Sequence, residues 1–261
     1  MNASIRPSRL LFAAALIGLA ILGFAYGNST ATPEVPTSLP GRPAVIFICS
    51  LIELASGIGL LLRPLVTPAC RLVLLYLLLW LALLKVPVVM HAPTTMVSWE
   101  SFAEIGAVTG GAWCLFAAHA GSWEATQFRR AVGASGIRIA RSFLIVALVL
   151  FGLAHFAYAQ FTASLVPRWL GFPLVWVYLT GSAYIAGAAA MLCGIRPRLA
   201  ACLEAAMIWS FTLLVWLPRV APLPQDQQIW SEFLISWLIG AAAWLVADTY
   251  REAPPTAPTP T

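Results

Sequence analysis

Five side chains in this 261-residue sequence put polar or ionisable chemistry into apolar surroundings: Glu53, Lys85, Glu104, His155 and Tyr158. Each lies within or at the edge of a long apolar run. A charged group there costs about 2.5–3.5 kcal/mol on insertion scales, so it needs a partner or a cavity. Glu53 has Ser50 three residues before it and Gly57 four after, one small, polar stripe if the run is helical. Lys85 falls near the end of the third run and Glu104 near the start of the fourth. A Glu53–Lys85–Glu104 cluster could bind a polar headgroup or move a proton, while the structural alternative has Lys85 and Glu104 snorkelling to the interface or pairing for stability. His155, with Tyr158 three residues on, could hydrogen-bond a quinone carbonyl or relay protons, or simply satisfy a neighbouring helix.

Other chemistries are poorly served. Cys49, Cys70, Cys114, Cys193 and Cys202 form no C-x-x-C pair, and the ligand spacings of zinc and iron–sulfur sites are missing, so no metal is expected. His91 falls in a loop and His119 ends a run on the other side, which gives no pair of haem ligands at one depth. No motif names a catalytic residue.

These residues need helices to hold them, and the composition says where the helices lie. Hydrophobic residues make up 61% of the chain and charged ones 10%, against roughly 25% charged in soluble domains. Mean hydropathy is +0.86. A soluble fold cannot bury such an excess, five cysteines do not make a disulfide scaffold, and the net charge of +5 comes from scattered arginines rather than a nucleic-acid-binding stripe. The expected class is all-α and polytopic. A helix needs about 20 apolar residues to cross a bilayer. Eight runs qualify: 10–26, 44–62, 72–89, 102–118, 142–161, 174–193, 199–217 and 229–246. The first reads as a retained span rather than a cleaved signal, because it takes part in the repeat described next.

Orientation follows the basic residues. With the N-terminus in the cytoplasm, that side receives Arg6, Arg9, Arg63, Arg71, Arg129, Arg130, Arg138, Arg141, Arg196, Arg198 and Arg251. The other side receives only Arg42, Lys85, Arg168 and Arg219. Both termini are therefore expected in the cytoplasm.

The two halves resemble each other. Phe24-Ala25-Tyr26 recurs as Phe156-Ala157-Tyr158, Val35-Pro36 as Val166-Pro167, and Val86-Pro87 as Leu217-Pro218; Trp99 and Phe102 match Trp230 and Phe233. Order and spacing persist, which marks an internal duplication. Each copy has an even number of spans, so the copies enter the membrane in the same sense and their axis runs along its normal. The organisation is a first four-helix unit over 1–120, a basic linker over 121–141, a second unit over 142–250 and a Pro/Thr-rich, disordered tail over 251–261.

The sequence resembles the DoxX-like family of four-helix membrane proteins, present twice in tandem. The second half carries this in Gly152-Leu153-Ala154-His155-Phe156, Val166-Pro167, Leu179-Thr180-Gly181, Arg196-Pro197-Arg198-Leu199-Ala200-Ala201 and Leu217-Pro218. In the first half, 51–60 resembles the family's acidic, glycine-containing second helix. The resemblance implies two four-helix bundles in a bacterial inner membrane. It also implies a quinone-associated subunit with membrane redox proteins as partners, while the composition and charge pattern give the lipid bilayer, and no nucleic acid, as the expected surroundings. A small-molecule or lipid transporter and a noncatalytic scaffold are the competing readings. The copies differ where Ala183-Tyr184 stands in place of Glu53-Leu54.

Overall fold

The computed structural model describes residues 6–27 and 39–251; Val35-Pro36 and all but the first residue of the Pro/Thr-rich tail lie outside them. Among the described residues the fold is all-α, without strands, and eight helices are long and apolar enough to cross a membrane. They are α1 (Pro7–Tyr26), α2 (Arg42–Leu61), α3 (Arg63–His91), α4 (Met96–His119), α5 (Gly133–Ala157), α6 (Pro173–Leu192), α7 (Pro197–Val220) and α8 (Gln227–Asp248). The protein is an all-α polytopic membrane fold.

Local chemistry sets the helix ends. Pro7, Pro173 and Pro197 open their helices, where the missing N–H costs nothing, and Gly27 closes α1 at φ 57. Asp226 caps α8 by accepting the Ile229 N–H at 3.2 Å. The largest departure from the sequence reading is α5. It begins at Gly133, so Arg138 and Arg141 of the expected linker are helical, and it ends at Ala157 because Tyr158 leaves the helix at φ −115, ψ 35. Basic side chains on its first turns, ahead of the apolar run, hide such an extension from hydropathy. Short helices Ser122–Gln127 and Ala159–Leu165 fill parts of the flanking segments.

Both α3 and α7 contain a π-helical turn, at Leu81–Lys85 and Thr212–Trp216, each followed by a proline, Pro87 and Pro218. Proline offers no N–H and its ring crowds the carbonyl four residues back. In both helices that carbonyl lies inside the π turn, which relieves the crowding by widening the coil.

Helices pack in chain order from α1 round to α8, and α8 closes the circuit on α1. Helices α4 and α8 also pack on each other across the middle, and they are the most buried spans. Each unit therefore joins three peripheral helices to a shared central pair. The first helix of each unit lies against the fourth helix of the other: α1 on α8, and α5 on α4.

Polar contacts repeat this exchange. Trp237 of α8 donates to the Leu11 carbonyl of α1 at 3.0 Å, and Ser8 donates to Asp248 at 2.6 Å. At the same end, Arg141 of α5 donates to the Thr249 carbonyl at 2.7 Å and lies over the Tyr250 ring at 3.7 Å, answering the free carbonyls that end α8. At the opposite end Tyr26 donates to the Gln225 carbonyl ahead of α8, and Tyr158 accepts the Val97 N–H at the start of α4.

Candidate functional site

The polar residues of the first unit occupy two levels. At mid-span, the Glu53 carboxylate is 4% exposed and accepts a hydrogen bond from the Tyr76 hydroxyl of α3 at 3.0 Å. Ser50 is buried and donates back to the Ile46 carbonyl, and buried Gly57 faces α1, whose Ile17 and Ala13 would meet any Cβ there. The Tyr76 ring leans on Trp80 at 5.6 Å.

The second level lies toward the end opposite the termini. Lys85 is nine residues beyond Tyr76 on α3, roughly 13 Å along a helix. Its ammonium donates to Ser101 of α4, and Glu104 stands one turn deeper on the same face of α4. Lys85 is buried and Glu104 half-buried.

The second unit builds a different site. His155 of α5 is half-buried, with Nδ1 2.8 Å from the Phe151 carbonyl. A carbonyl only accepts, so Nδ1 carries the proton and Nε2 is the ring's second hydrogen-bonding position. The imidazole meets the edge of Tyr184 (α6) at 5.3 Å and stacks on Phe211 (α7) at 6.2 Å, while Phe151 lies 5.7 Å from Tyr184. Gly181 lets α6 come this close: a Cβ there would sit 2.9 Å from the His155 Cβ. Gly181 is eight residues into α6, so the imidazole is anchored roughly 12 Å from the end of that helix opposite the chain termini. The Ala159–Leu165 helix packs on α6 above it. Exposed Phe156 and Tyr178 stack at 6.0 Å along the same α5–α6 seam. Tyr158, expected beside His155, turns away to the start of α4, because the helix that would align them stops one residue earlier.

Glu204 of α7 escaped the sequence reading. It is 4% exposed, its Oε2 has no hydrogen-bond partner, and its carboxyl lies against Gly187 of α6. Gly187 is one turn from Tyr184. The signal that singled out Glu53, an acid inside an apolar run, was present here too. Tyr184 lies on the second helix of its unit, one residue beyond Ala183, the residue matched to Glu53 in the repeat. Thus the first unit sets an acid on its second helix beside a tyrosine on its third, and the second unit reverses the two.

A family model described as a domain of unknown function (DUF8561) matches residues 144–215. That stretch runs from α5 to the π turn of α7 and includes His155, Tyr158, Tyr184, Glu204 and Phe211. No curated protein and no solved structure matches the chain.

Proposed function

We propose that the protein is a DoxX-like subunit of the bacterial inner membrane that binds a lipid-soluble quinone beside His155. The observation that carries this reading is the His155 imidazole, with Nε2 directed away from its own carbonyl contact, set among Phe151, Tyr184 and Phe211 at membrane depth. Aromatic faces suit a flat ring, and an imidazole suits its oxygen: neutral Nε2 accepts from a quinol hydroxyl, and a protonated ring donates to a quinone carbonyl. The exposed Phe156–Tyr178 stack gives a lipid-soluble ligand an approach from the side. The excess of arginine at the terminal end supports cytoplasmic termini. The partners in this reading are membrane redox proteins.

The test is mass spectrometry of the organic extract from gently purified protein, wild type beside His155→Ala and Glu53→Gln. A stoichiometric quinone lost in His155→Ala but kept in Glu53→Gln supports the second-unit site. An extract of bulk phospholipid alone, with no binding of added quinone in proteoliposomes, overturns it in favour of transport or scaffolding.

A further inference from the structure

We propose that Glu204 is a proton-binding site, holding a proton in the resting protein and exchanging it with the terminal face of the membrane. The carboxyl has 4% exposure and one oxygen without a partner, and it lies against Gly187 of α6; on its own helix Ala201, Ala205 and Ile208 are buried apolar neighbours in sequence. An ionised carboxylate so placed would have to face a cation or several donors. The packed elements supply neither. From α6 the titratable group facing this level is Tyr184, and from α7 itself Cys202 and Arg198 sit elsewhere on the helix surface, two and six residues away. On α8, which also packs against α7, the charged groups Glu232 and Asp248 lie near the two ends. A proton on the carboxyl removes the charge, leaving an acid that loses H⁺ to become a carboxylate when solvent reaches it.

Position gives the exchange its direction. Glu204 is seven residues into α7, roughly 10 Å from the terminal end, while His155 is anchored nearer the opposite end. Between them, Tyr184 touches the imidazole, and Gly187, one turn further along α6, carries the Glu204 carboxyl. Because Gly187 has no side chain, the carboxyl can lie flat against α6; a Cβ there would come within 2.7 Å of its carbon. The proposal stands whether or not a quinone binds beside His155.

Infrared spectroscopy of the full chain in ligand-free liposomes reads it directly. At neutral pH the wild type should show the carbonyl stretch of a protonated carboxyl, shifted in D₂O and absent from Glu204→Gln. Where the glutamine variant does not fold, Glu204→Asp keeps the acid and should shift that band rather than abolish it. A carbonyl-stretch region unchanged by either substitution, or a Glu204 signal seen only as carboxylate at neutral pH, overturns the proposal. Because no quinone is present, failure of the ligand reading leaves this result intact.

Discussion

Gly111 of α4 packs directly on Ala242 of α8, the residue at its own position in the other repeat. A Cβ on Gly111 would lie 2.6 Å from the Ala242 Cβ and 2.7 Å from its Cα. A residue that touches its own counterpart lies on the axis relating the two copies, as in an isologous dimer contact. The pseudo-twofold axis therefore passes between α4 and α8, and the shared central pair follows from it.

Gly111→Ala should destabilise the protein by about 1–3 kcal/mol, because the obstacle is the backbone of a packed helix and not a movable side chain. Thermal unfolding in detergent checks this. Gly106→Ala is the control, since the nearest atom to a Cβ there is Phe143 Cδ1 at 3.8 Å, and it should be nearly neutral.

Tyr76→Phe takes away the hydroxyl that donates to buried Glu53 and should cost about 1–3 kcal/mol, the penalty of stripping a donor from a buried acceptor. Adding Glu53→Gln to that variant should cost less than Glu53→Gln does alone, since the partner is already gone. A double-mutant cycle on unfolding midpoints measures the coupling, and additive effects would contradict it.

Acid should loosen the turn between α4 and α5. Glu124 pairs with Arg71 and accepts the Gly121 N–H at 2.9 Å. Burial works against its charge, but the backbone N–H groups and the Arg71 guanidinium outweigh that and hold the carboxyl below its ordinary value of 4.5. A depressed pKa means stability that is complete above the ordinary range and lost as pH falls through the lowered value. Wild-type unfolding temperature should therefore drop on acidification below about pH 4.5, and Glu124→Gln should start lower at neutral pH with a flatter acid limb.

Cutting the chain between the units should leave it able to assemble. Fragments 1–127 and 133–261 produced together should copurify, because α1 needs α8 and α5 needs α4. Either fragment alone should aggregate or pair with itself. Monomeric, well-behaved halves would mean that the exchanged contacts contribute little.

Much of this was legible in the sequence. Continuous apolar runs with prolines between them mark all eight spans, and the matched Trp99/Trp230 positions make the same contact in both units, each indole donating to a loop carbonyl, Pro93 or Pro224. What hydropathy does not carry is the partner of each helix. A run of leucine and alanine looks the same toward lipid as toward protein, so nothing in α1 announces that it meets α8. The candidate sites divide similarly. Glu53 and His155 were visible as polar residues at depth, but the Tyr76 hydroxyl and the Gly187 recess depend on the rotation of neighbouring helices. Glu204 is legible by the same rule as Glu53, an acid inside an apolar run. Tyr158 misled because its spacing to His155 assumes a helix that ends at Ala157.

The closure of α1 on α8 also sets a timetable for synthesis. Ser8 meets Asp248 across 240 residues of chain. At about 5–20 residues per second, roughly 10–50 s separate the emergence of these two partners from the ribosome. Through that interval α1 lies in the membrane with its α8-facing side uncovered, and its Leu11 carbonyl awaits the Trp237 indole. Of these eight helices the earliest made is completed by the latest, so synthesis halted before α8 leaves a chain in which α1 is still open to the wrong neighbour.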